Sequence, residues 1–408
     1  MSDVKNSSKM SSIVFASALV VVLLTLIPMI FPALFSSYFG SYSEGLEAFE
    51  FGHQSTFVLI GNAVIFSVGI LYYKKKISPV LDNLIEKIRT FEISKRVSII
   101  SFFVILGIYI GFTAPEIFID ESTQWGDYEV LAEGLELWPF GDSDNIYVQE
   151  QNDRYVRMFL LDISHDVFQN VKLLPFLASI LVIFFTYLIA TQFCEKRFAG
   201  IISIVVLLQS HLFLKYDTIA VYENFWVMFY LISLYTIRKK WFLSAPFYIL
   251  AFFTKAYAAP FFLMTLFTVY RSKISRRKKT GILISYAIIV GLAIALVFFA
   301  ESVYPDIIEV DYNKFILGFQ AISSQLRFDF FFIVTILPVT VGLLLLSRNN
   351  LKDADSILIL IFGTIIASPA LVMLTYHYEV QPYRLVPLIV FFSIAVGMFF
   401  SKKSVKLS

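Results

Sequence analysis

Acidic side chains crowd one short segment of the chain, residues 116–134, which reads EIFIDESTQWGDYEVLAEG. Asp120 and Glu121 stand in tandem, and Asp127 with Tyr128 follows a few residues later. A carboxylate beside an apolar surface can bind a metal ion, act as a general base towards a hydroxyl, or remain solvated. We take Asp120, Glu121 and Asp127 as candidate catalytic residues, and Tyr128 as a candidate binding residue.

Basic residues stand at the ends of apolar segments. Lys255 interrupts an apolar run in FFTKAYAAP, and Arg384 precedes the last run in PYRLVPLIVFFSIAVG. Ionisable groups at the edge of a membrane span are functional candidates by default. Carboxylates that face cations at one membrane surface suit a phosphate on the cations and an acceptor hydroxyl on the acid. The candidate substrate-binding residues are Tyr128, Arg154, Arg157, Asp217, Lys255, His377, Glu379 and Arg384.

The composition places these residues in a helical membrane protein. Of 408 residues, 58% are hydrophobic and 16% are charged, whereas soluble domains have about 45–50% apolar and about 25% charged residues. The apolar residues fall in runs long enough to cross ~30 Å of hydrocarbon. We predict an all-α, polytopic membrane protein with about a dozen transmembrane helices. The predicted spans lie near 13–38, 55–73, 97–114, 171–192, 199–214, 222–237, 241–254, 256–270, 280–300, 328–346, 355–376 and 385–401.

The charges between the spans predict the orientation of the chain. Basic connectors such as YYKKK, RSKISRRKK and SKKSVK alternate with acidic ones, and a dozen spans would place all the basic ones on one side. By the positive-inside rule that side is the cytoplasm, so both termini are expected there. The long loops at 115–170 and 301–327 then lie outside the cell membrane, and loops longer than about 15 residues are usually functional. We therefore predict an extracytoplasmic site, with membrane-parallel helices in the first outer loop.

The sequence also predicts a division of the chain near residue 95. Residues 1–95 contain two predicted spans and then the stretch ISPVLDNLIEKIRTFEI, whose apolar residues share one face of a helix. This amphipathic cytoplasmic connector is expected to lie on the inner membrane surface or to pack against other cytoplasmic segments. Residues 96–408 form the predicted transmembrane core, which includes the outer loop 115–170.

Several classes of function have no signal in the sequence. Cys194 is the single cysteine, so neither an intrachain disulfide nor a cysteine-based metal site is expected. The chain has no Walker loop, no GxGxxG and no metal-finger spacing. Its basic clusters flank predicted spans and do not form a basic domain, so we expect membrane lipids and not nucleic acid as partners.

Five segments, taken in order, resemble one family of enzymes. They are IDESTQWGDY, which follows a span, NVKLLPFLASILVIFFTYLIATQFCEKRFAGIISIVVLL, LKYDTIAVYENFWVMFYLISLYTI, FFTKAYAAPFFLM at an outer helix break, and PYRLVPLIVFFSIAVG. Together they resemble the membrane-embedded C-type (GT-C) glycosyltransferase superfamily, which includes protein O-mannosyltransferases and lipid A aminoarabinose transferases. The resemblance covers about residues 97–400.

The resemblance implies transfer of a hexosyl or pentosyl group from a polyprenyl-phosphate carrier, such as dolichyl phosphate, to a hydroxyl on a lipid, glycan or protein acceptor. It implies that Lys255 and Arg384 hold the donor phosphate, with help from Arg154 or Arg157. Asp120 or Asp127 would then take the proton of the acceptor. No cofactor is implied with certainty, and a divalent cation stays open.

Two other classes of protein remain as alternatives. A transporter or lipid flippase places charges near the bilayer midplane on broken helices in paired repeats, whereas here the charges crowd the outer side and no duplicated halves are evident. A polymerase or ligase of lipid-linked glycans with a different fold would share the long outer loop.

Overall fold

The structure is a computed structural model that describes residues 2–40, 47–141, 143–152, 154–299, 310–374 and 381–401. Within these ranges the chain forms helices and loops without β-strands, which confirms the all-helical class. His377 and Glu379, two of the predicted site residues, lie outside the described residues.

The α-helices of the described residues are, in chain order, α1 (Ser2–Ile30), α2 (Leu34–Phe39), α3 (Ser55–Tyr73), α4 (Pro79–Thr90), α5 (Lys95–Thr113), α6 (Tyr128–Leu137), α7 (Ile146–Asn152), α8 (Tyr155–Phe168), α9 (Leu173–Cys194), α10 (Arg197–Leu207), α11 (His211–Lys215), α12 (Phe225–Lys239), α13 (Ser244–Thr254), α14 (Phe261–Arg271), α15 (Arg276–Phe299), α16 (Tyr312–Leu326), α17 (Phe330–Arg348), α18 (Asp353–Leu374) and α19 (Val386–Met398). Short 3-10 helices cover Ala114–Phe118, Trp241–Leu243, Ala256–Ala258 and Pro382–Leu385.

Six helical segments of the described residues are long and apolar enough to cross a membrane. They are Lys9–Ile30, Ser55–Tyr73, Lys95–Phe118, Leu173–Cys194, Phe330–Arg348 and Asp353–Met373. Shorter apolar helices cover Arg197–Leu207, Trp241–Thr254 and Pro382–Met398. These helices are compatible with membrane insertion and with a multi-pass membrane protein, while the dozen spans stay a prediction.

Apolar side chains also cover much of the outer surface of the helices. Phe112 is 81% exposed, Leu263 is 70% exposed and Phe103 is 63% exposed. Water-soluble monomers rarely expose large contiguous apolar patches. In the hydrocarbon of a bilayer these apolar side chains would avoid the free-energy cost of contact with water. Their exposure therefore agrees with insertion of the longer helices into a bilayer.

Loops predicted to share one side of the membrane meet at the same end of the helix bundle. At one end, which we term the outer end, Lys172 Nζ donates to the Glu116 carbonyl at 2.6 Å, joining the start of α9 to the loop after α5. At the other, the inner end, Lys196 Nζ donates to the Arg89 carbonyl at 2.6 Å, joining the α9–α10 turn to the end of α4.

The first helix belongs to the packed bundle. Ala18 and Val22 of α1 are fully buried, and α1 packs against α16, α17 and α18. At the inner end Ser11 Oγ donates to Asp355 Oδ2 at 2.9 Å. The division near residue 95 therefore stays a prediction from the sequence, while in space α1 contributes to the core formed with the last helices.

Two ion pairs, one buried and one partly buried, connect α12, α14 and α18 at the inner end. Arg238 at the end of α12 pairs with Asp353, and Arg271 at the end of α14 pairs with Asp355. The sequence alone did not identify Asp353 and Asp355 as the partners of these arginines. The pairs hold three helices in a fixed register at this end.

Candidate functional site

Buried charges hold the loop of residues 216–224, between α11 and α12, at the outer end. Glu121 is 1% exposed, and its carboxylate accepts the backbone N–H groups of Ala220 at 2.6 Å and Val221 at 3.2 Å. Lys172 Nζ lies 3.7 Å from Glu121 Oε1. Burial raises the pKa of Glu121, although these donors and the charge of Lys172 oppose that effect. With its oxygens engaged in this way, Glu121 anchors the loop.

Arg157 of α8 holds the same loop by donating to the carboxylate of Glu223 and to a backbone carbonyl group of the loop. Its Nε donates to Glu223 Oε2 at 2.9 Å, and both side chains are fully buried. Its Nη2 donates to the Val221 carbonyl at 3.0 Å. Removing one partner of a buried ion pair typically costs about 3–5 kcal/mol. Arg157 therefore fixes the loop against α8, and its guanidinium is largely occupied by the protein.

The anchored loop presents two tyrosines to an aromatic cluster, which we term the aromatic platform: Trp125, Tyr216, Tyr222 and Tyr383. The rings of Tyr222 and Tyr383 stack with centroids 4.5 Å apart and planes 15° apart. Trp125 meets Tyr222 edge-on at 5.0 Å and Tyr216 at 5.8 Å. The indole Nε1 of Trp125 is buried and has no hydrogen-bond acceptor among the described residues, so the platform retains an unused donor.

Three positively charged side chains act on Tyr383, and two of them lie close to its ring. Lys255 lies directly between α13 and the 3-10 helix Ala256–Ala258, and its Nζ is 3.9 Å from the centroid of the Tyr383 ring. The guanidinium carbon of Arg384 lies 5.5 Å from the same centroid. The charges of Lys255, Arg384 and Arg154 all act on the Tyr383 hydroxyl. Residues from three distant segments therefore place positive charge at one point of the outer end.

Lys255 is the least compensated member of this group. It is 6% exposed, and in the described part of the chain its ammonium forms no ion pair with a carboxylate. Glu223 is the carboxylate that attracts it most strongly, and that side chain is already paired with Arg157. Burying an ammonium costs several kcal/mol unless a partner compensates it. The cation–π contact with Tyr383 supplies about 2 kcal/mol at such a desolvated position.

Asp127 and Asp120 occupy different settings in the outer loop. Asp127 Oδ2 accepts the hydroxyl of Tyr222 at 2.7 Å, which joins Asp127 to the aromatic platform. Asp120 is fully exposed, and its carboxylate accepts the Ser122 N–H at 3.0 Å and the Ser122 hydroxyl at 2.7 Å. These hydrogen bonds lower the pKa of Asp120. Tyr128 begins α6 and is half-buried.

Asp217 is buried on the other side of the loop, towards α5. Neither of its carboxylate oxygens makes a hydrogen bond to a described residue with good geometry. Burial, with a contribution from the negative charge of Glu116, raises the pKa of Asp217 to about 7, while the hydroxyl of Tyr109 opposes the rise. The groups that act most strongly on Asp217 are therefore separate from the three cations.

The predicted residues thus fall into two sets. Lys255 and Arg384 come together at Tyr383, on which the charge of Arg154 also acts. Asp127 is joined to them through Tyr222, which stacks on Tyr383. The second set lies around this group. Asp120 is exposed, Glu121 and Arg157 hold the loop of residues 216–224, and Asp217 is buried within that loop. Sequence reasoning missed Trp125, Tyr216, Tyr222 and Tyr383 as site residues. The available signal was that Tyr222 and Tyr383 each stand beside a charged candidate, in AVYEN and PYR.

A metal site was left open by the sequence. In the ranges that the structure describes, no three His, Cys, Asp or Glu side chains lie close enough together to hold a metal ion.

In comparisons with known proteins, the chain matches no family model, no curated protein and no solved structure. Its own residues and their geometry therefore carry the functional argument.

Proposed function

We propose that this protein is a membrane glycosyltransferase that moves a sugar from a polyprenyl-phosphate carrier to an acceptor hydroxyl at the outer end. One observation carries the proposal: Lys255 Nζ and the Arg384 guanidinium both lie close to the ring of Tyr383, 3.9 Å and 5.5 Å from its centroid, and the charge of Arg154 acts on the same residue. A phosphate is the ligand that such a group of cations recognises best, since Arg gives paired hydrogen bonds and Lys gives a compact charge.

The buried ammonium of Lys255 supports an anionic ligand in particular. A phosphate oxygen would restore the electrostatic and hydrogen-bonding partners that Lys255 lacks among the described residues. The apolar surface of neighbouring helices would at the same time accept the hydrocarbon tail, as exposed side chains such as Phe112 and Leu263 already face outwards. One molecule that combines both features is a phosphorylated isoprenoid lipid.

Asp127 is the carboxylate best placed to act as the base. In the proposed step its carboxylate takes the proton of the acceptor hydroxyl, the acceptor oxygen forms a bond to the anomeric carbon, and the bond from that carbon to the phosphate oxygen breaks. The phosphate leaves with the electron pair, and Lys255 and Arg384 stabilise its growing negative charge. A single displacement of this kind inverts the anomeric centre. The platform of tyrosine and tryptophan rings would hold the sugar between base and phosphate.

Binding of the bare carrier tests the proposal without knowledge of the sugar. The full-length protein in nanodiscs is titrated with radiolabelled undecaprenyl phosphate and with undecaprenol. We expect saturable binding of the phosphate and at least tenfold weaker binding of the alcohol. Equal binding of the two lipids, or no binding of either, would contradict the proposal.

A second measurement separates the enzyme from a flippase. Liposomes that contain the protein and a fluorescent polyprenyl-phosphate sugar are assayed for lipid movement between leaflets and for sugar release to an added extract of acceptor membranes. We expect sugar loss with formation of free polyprenyl phosphate. Movement of intact donor without sugar loss would assign a transport function instead.

A further inference from the structure

Most residues of the amphipathic helix α4 are exposed, and only Ile85 and Arg89 are half-buried. Its apolar residues include Val80, which is 76% exposed, Leu81 at 51%, Leu84 at 50% and Ile88 at 43%. No residue of α4 is buried in the described structure. The C-terminal end of α4 contacts the α9–α10 turn through the Arg89 carbonyl, whereas the apolar residues Val80, Leu81, Leu84 and Ile88 remain exposed.

The helix is nevertheless well defined by its sequence. Ser78 caps its first turn by accepting the N–H of Leu81 at 3.4 Å, and Pro79 occupies the first helical position. Lys87 and Arg89 stand in the last turn, where they favour the negative end of the helix dipole. At 3.6 residues per turn, positions 80, 81, 84, 85 and 88 lie within an arc of about 140°.

Two connections keep α4 at the inner end of the bundle. It lies between α3 and α5, which are both long enough to cross a membrane, so its two ends return to the same surface. Its C-terminal end is also docked: the rings of Phe91 and Phe198 meet edge-on at 5.0 Å. Arg197 Nη1 lies 3.8 Å from Glu92 Oε1 in the same region. The helix is therefore held at the level of the α9–α10 turn.

The charge around α4 is complementary to anionic lipid headgroups. Residues 74–96 contain seven Lys or Arg residues and three Asp or Glu residues. Three of the lysines, Lys74, Lys75 and Lys76, are consecutive and exposed just after α3. Basic segments beside a membrane span attract anionic phospholipids, and an apolar stripe favours insertion at the boundary between headgroups and acyl chains.

We infer that α4 lies in the plane of the inner membrane surface, with Val80, Leu81, Leu84 and Ile88 in the bilayer and the flanking basic residues on anionic phospholipid headgroups. A bilayer explains the exposure of the apolar stripe, the tethering at both ends and the excess of positive charge together. This inference is independent of the proposed enzymatic function.

Site-directed spin labelling of the full-length protein tests the position of the helix. Cys194 is the single cysteine and is 1% exposed, so a nitroxide on Leu84→Cys reports that position selectively, with the unsubstituted protein as the labelling control. Asn83→Cys, on the opposite face, is the matched variant. In nanodiscs of phosphatidylcholine with about one third phosphatidylglycerol, we expect the label at 84 to be several-fold more accessible to oxygen than to a water-soluble nickel complex. The label at 83 should show the reverse.

Two results would overturn the inference. Equal access of the nickel complex to both labels would place α4 in water. Exclusion of both reagents from position 84, with a motionally restricted spectrum, would indicate coverage by protein. For the headgroup contact, removing phosphatidylglycerol should reduce the immersion of the label at 84, and substituting Lys74, Lys75 and Lys76 by Gln should abolish that dependence. An immersion depth that is unchanged by lipid charge would refute the anionic-lipid contact.

Discussion

Tyr222 and Tyr383 stack face to face with their ring centroids 4.5 Å apart, and this contact joins the two halves of the candidate site. Tyr222 donates its hydroxyl to Asp127 at 2.7 Å, while the ring of Tyr383 lies 3.9 Å from Lys255 Nζ. Asp127, the proposed base, and Lys255, the proposed phosphate-binding cation, are thus linked through two stacked rings.

Replacing Lys255 should weaken carrier binding without destabilising the protein. Lys255→Met removes the charge expected to meet the phosphate, and we predict at least a tenfold loss of affinity for undecaprenyl phosphate. Because a buried ammonium without an ion-pair partner among the described residues is costly, the thermal stability of the unliganded variant should stay equal or rise. Lys314→Met, another lysine at the outer end, is the control. A large loss of stability with unchanged affinity would make Lys255 a structural residue.

Arg384 should contribute to the same binding event. Arg384→Lys keeps the charge but loses the planar fork that can give a phosphate two hydrogen bonds. We predict a loss of carrier affinity of about 1.5–3 kcal/mol, the scale of one charge-assisted hydrogen bond. Arg327→Lys, at an exposed outer position, should bind the carrier as the natural protein does. Equal affinities of the Arg384 and Arg327 variants would remove Arg384 from the site.

Asp127 and Asp120 should differ in their effect on sugar transfer. Asp127→Asn should lower the transfer rate by about 10²–10⁴-fold, the usual contribution of a general base, with carrier affinity retained. Asp120→Asn should change the rate by less than about threefold, since Asp120 is exposed and bonded to Ser122. Steady-state rates with a polyprenyl-phosphate sugar make the comparison. Full activity of the Asp127 variant would exclude the proposed base.

The ion pair between Arg157 and Glu223 should be important for folding. Arg157→Met leaves Glu223 buried without its partner, and we predict a loss of about 3–5 kcal/mol in the free energy of unfolding. Adding Glu223→Leu should recover a large part of that loss, because the double variant no longer contains a buried carboxylate that has lost its arginine partner. Denaturant titration in detergent measures both. Additive losses in the double variant would show that the two residues act independently.

Asp217 should make stability depend on pH. Its pKa is raised from 3.8 to about 7 by burial, so the folded protein binds a proton that the unfolded chain has released between these values. The free energy of unfolding should therefore fall as pH rises from about 4 to about 7, and level off above that. Asp217→Asn should remove this slope and be the more stable protein at pH 8. Parallel pH profiles for the two proteins would contradict the assignment.

The sequence predicted the helices well because apolar runs of sufficient length have few alternatives to a helix. Alternating basic and acidic connectors also predicted which loops share an end, as the contacts of Lys172 and Lys196 illustrate. The sequence alone could not show which acidic residues of the outer loop are buried and which are exposed. Asp120 and Glu121 are adjacent, yet one is exposed and the other is buried on the Ala220 amide. That difference arises because the loop of residues 216–224, which is distant in sequence, packs over Glu121.

The aromatic platform was missed for the same reason. Tyr222 lies in the loop before α12 and Tyr383 in the 3-10 helix that precedes α19, so no local spacing relates them. Likewise, the pairing of Arg271 with Asp355 joins two helices through their ends. Charge patterns along the chain predict on which side of the membrane each loop lies. Contacts between residues that are distant in sequence follow instead from the packing of the helix bundle.

The most direct test of the central claim is an experimental structure of the protein with bound undecaprenyl phosphate in nanodiscs. The account predicts the phosphate at the outer end, with an oxygen about 2.7–2.9 Å from Lys255 Nζ and Arg384 as a second ligand. A phosphate bound elsewhere, with no contact to either side chain, would contradict it.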